Sequence, residues 1–256
     1  MRRAIVFVVG AVLLALALLI TAPATLVDSR LDTLSSGRLR LANASGTLWN
    51  GTGELRLVPG AIAVPVVWHV DGWHLLLGEL RGTLSGSDNA TPASFLVSPS
   101  ESSVRNVTLT LPADAVLHAF GAPVSLVTAG GDIGLRIGEL SRRGDRIDGQ
   151  VALRWDKATL QTGVVGLRPA PRVALGDVRF DAMGHGSEIT GMLANSGGDV
   201  EITGTVSASV GGAARVNALV RPRAGIDAES ANAIGSALAA VGQPDATGGY
   251  RITWVQ

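Results

Sequence analysis

The sequence predicts a mainly β fold: one N-terminal transmembrane helix, then an exported antiparallel β-sheet domain, a meander of short strands with two short helices. Three observations carry this expectation. Residues 4–22 form an apolar run without a charge. Apolar and polar side chains alternate with period two along much of the remaining chain, the pattern of strands with one buried and one wet face. Glycine, at 33 of 256 residues, is nearly twice its usual share of about 7% and clusters with Asn and Asp between the alternating runs, where tight turns belong.

The N-terminal segment divides into a short end, residues 1–3, and the run Ala4–Ala22. At about 1.5 Å of helical rise per residue the run would reach roughly 28 Å, close to the thickness of a bilayer's hydrocarbon core. Arg2 and Arg3 precede it, and Arg30 is the first cation after it. This bias keeps Arg2 and Arg3 in the cytoplasm and places residues 23–256 outside it. A cleaved secretory signal is the other reading, because Ala22-Pro23-Ala24 has the small-x-small form of a cleavage site. Cleavable apolar cores normally run about 7 to 15 residues, and this one is longer, which favours an uncleaved anchor.

Alternation is clearest at Val200, Ile202, Gly204, Val206, Ala208 and Val210, with Glu201, Thr203, Thr205, Ser207 and Ser209 between them. Val200, Ile202, Val206 and Val210 should therefore point into the core. The same pattern marks Val107-Leu109-Leu111, Ile133-Leu135-Ile137, Val151-Leu153-Trp155, Ala214-Val216-Ala218-Val220 and the terminal Tyr250-Ile252-Trp254. Turns are expected at Asn50-Gly51, Gly130-Gly131-Asp132, Arg143-Gly144-Asp145, Asp148-Gly149 and Gly197-Gly198-Asp199. One helix should start at Pro112, which needs no N–H in a first turn, and end near Gly121-Ala122-Pro123. A second should run from the N-cap Asp227 through the stripe Ala231, Ile234, Leu238 and Val241 to Gly242 and Pro244. The helices occupy similar places in two halves of the chain, which admits a boundary near Ser98 to Ser103. The meander admits a curved half-shell.

Composition excludes several functions. With 21 basic and 21 acidic side chains and no block of like charge, nothing steers the chain onto nucleic acid. Cysteine is absent, which removes disulfides, thiolate metal sites and cysteine nucleophiles. His69 and His74 flank Asp71, but a spacing of five suits neither a strand nor the one face of a zinc-binding helix, so they read as exposed groups about a turn. His118 falls in the first helix. His185, in Gly184-His185-Gly186-Ser187-Glu188, reads as a loop, since no Gly-x-Ser-x-Gly elbow exists in the chain. No glycine pair continues into a phosphate-cradling loop, and Asp145 with Asp148 falls short of a calcium loop. No catalytic, cofactor or metal residue emerges, and the chain reads as a non-enzyme. Arg142, Arg143 and Arg146 beside Asp145 and Asp148 form the densest charge cluster, read as a solvated turn.

The most distinctive stretch is Gly46-Thr47-Leu48-Trp49-Asn50-Gly51, followed by the alternating Glu54-Leu55-Arg56-Leu57, then Trp68, Trp73 and Leu80-Arg81-Gly82-Thr83-Leu84-Ser85-Gly86. It reads as a strand ending in a tryptophan that packs across an Asn-Gly hairpin. This order resembles type II secretion system protein N, whose members similarly open with a short cytoplasmic end, one membrane helix and a Gly-Thr-Leu-Trp-x-Gly hairpin, here Gly46, Thr47, Leu48, Trp49 and Gly51. Leu111-Pro112-Ala113, Gly149-Gln150-Val151 on to Trp155, and Gly242-Gln243-Pro244 through Trp254 are similar in the same order. Gly121-Ala122-Pro123-Val124-Ser125-Leu126 departs from the Leu-Pro-x-Gly-x-Leu usual after the first helix. The resemblance implies an accessory inner-membrane component of the type II secretion system, single-pass and largely periplasmic. It would act by contact with other secretion components and with the inner membrane, without catalytic residues or cofactor. The alternative is a membrane-anchored periplasmic lipid-binding or lipid-transfer protein of AsmA-like type, which the same alternating strands and low charge would suit. A lipid carrier must leave one apolar face open, whereas a scaffold should bury it.

Overall fold

The computed structural model describes residues 21–35, 37, 39–57, 62–86, 91–119, 127–162, 172–210, 212 and 214–255. The chain falls into two compact units, the first ending at Val97 and the second beginning at Ser98. Among the described residues no helix is long and apolar enough to cross a membrane. Arg2, Arg3 and the run Ala4–Ala22, except its last two residues, lie outside the described residues.

The first unit begins with a helix, α1 (Thr25–Leu34), and continues through strands β1 (Leu39–Gly46), β2 (Asn50–Leu57) and β3 (Ile62–Asp71). A 3-10 helix, Gly72–Leu77, leads to β4 (Leu80–Gly86) and β5 (Ala93–Val97). Each of these strands pairs antiparallel with the next. β3 shows why the pattern folds so: Ile62, Val66 and Trp68 are buried while Ala63, Pro65, Val67 and His69 face out. Ala24, Leu41, Val66 and Trp68 form the buried cluster, with Val27 and Leu31 of α1 packed on it. α1 is a third helix that the sequence reading does not contain. It starts at Ala24 without a side-chain cap, and its interior alternates apolar residues with Asp28 and Asp32. Asp28 makes the helix useful to the sheet, since its Oδ1 accepts from the backbone N–H of Leu41 at 2.8 Å and so occupies a donor on the edge strand.

The second unit contains β6 (Ser102–Pro112), α2 (Ala113–Ala119), β7 (Val127–Arg143), β8 (Arg146–Thr162), β9 (Val173–His185), β10 (Glu188–Ser196), β11 (Val200–Ser209) and β12 (Ala214–Pro222). A longer helix, α3 (Ala228–Val241), precedes β13 (Gln243–Pro244) and β14 (Tyr250–Val255). The spatial order is β6-β7-β8-β9-β10-β11-β12-β14-β13, antiparallel throughout, so the chain's last strand is paired on both sides. Antiparallel β structure with few helices is therefore what the alternation specifies.

Three of the expected turns are not turns: Asn50-Gly51 opens β2, and two others lie inside long strands. Gly130-Gly131-Asp132 lies inside β7, where Gly131 takes φ +90° at an irregularity in the pairing with β8, and Asp148-Gly149 lies inside β8, where Gly149 takes φ +141°. A glycine at positive φ lets a strand follow a partner that carries an extra residue as readily as it reverses a chain. Strands expected to be short consequently merge, and β7 and β8 each run 17 residues. Arg143-Gly144-Asp145 and Gly197-Gly198-Asp199 do connect neighbouring strands. Pro112 closes β6 and α2 begins one residue later, while the expected end at Gly121-Ala122-Pro123 lies outside the described residues.

α3 forms as its sequence indicates. Oδ1 of Asp227 accepts from the backbone N–H of Ser230 at 2.8 Å, and Gly242 follows the last helical residue. Its stripe is seated on the sheet: Ile234 and Leu238 pack with Val200, Ile202, Val220 and Ile252. Val200 and Val220 are buried, Thr203 and Thr205 exposed, and Ile202 and Val206 half-buried on the apolar side. Val210 lies just beyond β11. Farther from α3, the apolar sides of β6, β7 and β8 have less cover: Leu109, Leu111, Ile133, Leu135, Val151 and Leu153 are all only half-buried.

Three glycines within strands serve neither as turns nor as bulges but as seats for rings. The Trp68 ring occupies the space a Cβ on Gly51 would need, Phe95 does the same to Gly82, and Phe180 to Gly191. In the first two cases the residues are direct cross-strand partners. An aromatic ring folded over a glycine covers the bare backbone and lets the strands keep their spacing.

Val206→Asp should lower resistance to proteolysis far more than Thr205→Asp, since only the first places a carboxylate on the apolar side, where an unpaired charge is costly. The Ser230 backbone N–H holds the Asp227 carboxyl below its ordinary range. A depressed folded value stabilises above the ordinary carboxylate pKa and is lost as pH falls through the folded value. Asp227→Ala should therefore melt earlier than the parent at neutral pH, with the gap closing in acid, whereas Asp227→Asn should keep the cap without that pH dependence.

Candidate functional site

The motif residues Gly46, Thr47, Leu48, Trp49 and Gly51 converge on one corner, at the end of the first unit's sheet where β1 turns into β2. The reversal occurs at Thr47-Leu48-Trp49, and Asn50-Gly51 already belong to β2, with Gly46 paired to Gly51. Thr47 closes the turn. Its N–H donates to the Asn50 carbonyl at 2.7 Å, and its Oγ1 accepts from the Asn50 N–H at 3.1 Å. Gly46 sits at φ +95°, and a Cβ there would collide with the Asn50 carbonyl, so only glycine fits.

A turn leaves carbonyls without strand partners, and a tryptophan from another strand supplies the donor. The Trp68 indole Nε1–H, delivered by β3, donates to the carbonyls of Thr47 at 3.3 Å and Leu48 at 3.2 Å. The ring can reach them because Gly51 beneath it has no side chain. The tryptophan that crosses the hairpin is thus Trp68. Trp49 turns away: its ring lies against Gly72, where a Cβ would come within 3.0 Å of it, and its carbonyl accepts from Val70 N–H at 2.6 Å.

The corner also holds the chain's entry into the unit. Ala24 N–H donates to the Gly46 carbonyl at 3.2 Å, Leu48 N–H donates to the Ala22 carbonyl at 2.8 Å, and Pro23 bridges to Thr47. Ala22 and Ala24 are buried. Nothing in the composition of residues 22–24 signals this. Their apolar character serves the end of the preceding run and the docking on the corner alike, and the pairing partner lies more than twenty positions along the chain.

The four histidines fall in four separate places. His69 stands on the outer face of β3 with Nδ1 at the Asn50 Oδ1, not in a turn. His74 lies in the 3-10 helix with Nδ1 2.6 Å from Asp71 Oδ2, and Asp71 also accepts from the Trp73 backbone N–H at 3.3 Å. His118 lies 3.4 Å from Asp114 one turn earlier in α2, and Asp114 Oδ1 in turn accepts from Ala129 N–H of β7 at 3.4 Å. His185 is exposed at the end of β9, opposite Glu188. Among the described residues no group of three potential ligands could hold a metal ion. In the charge cluster, Arg143 pairs with Glu101 at 3.1 Å, which raises the guanidinium's pKa, and Arg142 donates to the Gly144 carbonyl.

A second polar corner binds the β10–β11 end of the other unit. Asn195 donates to the carbonyls of Leu175 at 2.6 Å and Val200 at 2.9 Å and accepts from Ile202 N–H at 2.7 Å. Arg223 donates to the carbonyls of Gly197, Gly198 and Val200. These side chains take up carbonyls left by the Gly197-Gly198 turn, where both glycines have positive φ. Sequence reading identified the turn but not the Asn195 and Arg223 donors that satisfy it.

Gly51→Ala should destabilise the first unit by about 1–3 kcal/mol, the usual cost of forcing atoms into a filled site. Trp68→Phe should also destabilise, because two carbonyls lose their donor. Urea unfolding in detergent, followed by tryptophan emission, checks both. A smaller loss for the double change Gly51→Ala with Trp68→Leu than for the sum of its parts would identify the ring contact as the cause.

Comparison with known proteins gives one result. The family model for type II secretion system (T2SS), protein N, matches residues 37–253. No curated protein and no solved structure matches the chain.

Proposed function

We infer the role of this chain from one premise: it belongs to the type II secretion system protein N family. The match takes in both units and is the observation that carries the reading. As a type II secretion component, the chain takes part in the export of folded proteins. We propose that it does so as an accessory of the inner membrane, anchored by Ala4–Ala22 with Arg2 and Arg3 in the cytoplasm and residues 23–256 in the periplasm.

The proposed mode of action is contact with other secretion components. Sheets with one apolar side only half-buried, such as that around Leu135 and Leu153, offer area to a partner. The chemistry-bearing side chains support the same reading: His69, His74 and Asp71 are engaged with near neighbours and do not converge on a common point.

The open apolar side also favours a second reading, in which the second unit carries a lipid against β6–β8. A binding face for acyl chains must remain uncovered when empty, as the sides of Leu111 and Ile133 do.

Export of a type II substrate by a deletion strain complemented with variants tests these readings. His69→Ala, His74→Ala and His185→Ala together should leave export intact. Truncation before Gly242 should abolish it, because β12 would lose its partner β14 and expose an unpaired edge. Normal export in the deletion strain together with altered outer-membrane permeability would instead select the lipid reading.

A further inference from the structure

The end of the first unit's sheet that carries the Gly46–Gly51 corner is also the most apolar exposed surface of that unit. Trp73 is 75% exposed, and Leu76 and Leu77 are each 72% exposed. All three lie in the 3-10 helix that follows β3, and this helix has no buried residue. Leu75, Leu80 and Val97 are exposed beside them, with Leu80 paired directly to Val97. Six large apolar side chains thus gather at one sheet end. They account for half of the twelve such exposed side chains among the described residues. Surface apolar residues are normally scattered, and a contiguous group marks a contact with something apolar.

The same sheet end fixes where the chain leaves the run Ala4–Ala22. Ala22 and Ala24 are hydrogen-bonded to Leu48 and Gly46, so no slack separates the end of that run from the fold. Trp49 of the corner lies on Gly72, the first residue of the exposed helix. The exit between β1 and β2 and the helix after β3 are therefore about two strand spacings apart, roughly 10 Å.

We propose that Trp73, Leu76 and Leu77 dip into the outer leaflet of the bilayer that the N-terminal run spans, a second attachment beside the anchor. A tryptophan next to leucines is the composition that the boundary between headgroups and acyl chains accepts, since the indole offers both an apolar body and an N–H. Asp71, His74, Glu79 and Arg81 border the group, and Glu79 is paired with Arg81 at 2.7 Å, which lowers the charge brought to the surface. The proposal rests on the anchor reading, and the two can fail separately.

The full chain has no cysteine, so Leu76→Cys and Ala63→Cys each accept a single environment-sensitive nitrobenzoxadiazole label. Ala63 is an exposed position near the other end of β3, eight residues before Asp71 and roughly 26 Å away. The labelled full-length proteins are reconstituted into phosphatidylethanolamine–phosphatidylglycerol vesicles, with and without lipids carrying a nitroxide at a shallow acyl position. A label at position 76 should emit further to the blue than in detergent-free buffer standards and lose most of its emission to the nitroxide lipids. The label at 63 should lose little. Equal quenching at 76 and 63 overturns the proposal. A blue-shifted label at 76 that nitroxide lipids do not quench, and whose shift grows with protein density, would assign the surface to a second copy and also overturn it. Flotation of the protein with the vesicles after an alkaline wash reads the anchor alone: without flotation the anchor reading fails, whereas flotation with an unquenched label at 76 rejects only the second attachment. Trp73→Phe should leave flotation unchanged, and Trp73→Asp with Leu76→Asp should move a label at position 77 toward the aqueous signal.

Discussion

The first unit depends on one hydrogen-bond donor. A hairpin that reverses over Thr47-Leu48-Trp49 strands carbonyls at its crest, and the indole of Trp68 reaches across from β3 to take two of them. For the ring to arrive there, Gly51 must be bare, and for the turn to close, Gly46 must adopt a positive φ. Once the crest is satisfied it can accept the incoming chain, and Ala22-Pro23-Ala24 pairs along it. α1 starts from that point and lays Val27 and Leu31 over Leu41, Val66 and Trp68. The short motif therefore sets the hairpin, the entry of the chain and the placing of the helix together.

The second unit solves a related problem differently. Its turn at Gly197-Gly198 is tied by side chains from β10 and from the segment after β12, Asn195 and Arg223, so that backbone polar groups far apart in sequence are satisfied at one place. Its apolar cover is uneven. α3 seals the side of β11, β12 and β14 with Ile234 and Leu238, and α2 touches β6 and β7, while the middle of the long strands is left half-covered. A sheet one layer thick gains less from burial than a sandwich does, and it leaves area for an apolar partner.

Much of this was legible in the alternation. Period two located β6, β7, β8, β11, β12 and β14, because each strand has two faces in different surroundings. Asp227 and Gly242 marked the ends of α3 because caps are local chemistry. What local reading lacked was the third dimension. Gly131 and Gly149 have the same composition signal as turns, and only the pairing with a neighbour shows that they carry their strands past irregularities in the ladder. α1 was not legible because its helix begins without a cap, and the Ala24, Val27 and Leu31 stripe is short and interrupted by Asp28, whose role is to bond Leu41 in a strand. At the corner, the distinctive residues Gly46, Thr47, Leu48, Trp49 and Gly51 could be picked out, but the ring that crosses the hairpin was assigned to the nearer tryptophan. Trp68 does that work because it is Gly51's strand partner, a relation that appears only with the register.

The glycines that seat rings bear on how such a sequence drifts over generations. Trp68 with Gly51, Phe95 with Gly82, and Phe180 with Gly191 are matched halves. Neither half can change freely while the other stays, since a methyl on the glycine meets the ring and a smaller ring uncovers the backbone. Inheritance then treats each pair as one character, and lineages that alter one member should carry a compensating change in the other. Because two of the pairs are direct partners across adjacent strands, such joint changes would preserve a written record of strand register, readable from sequences alone.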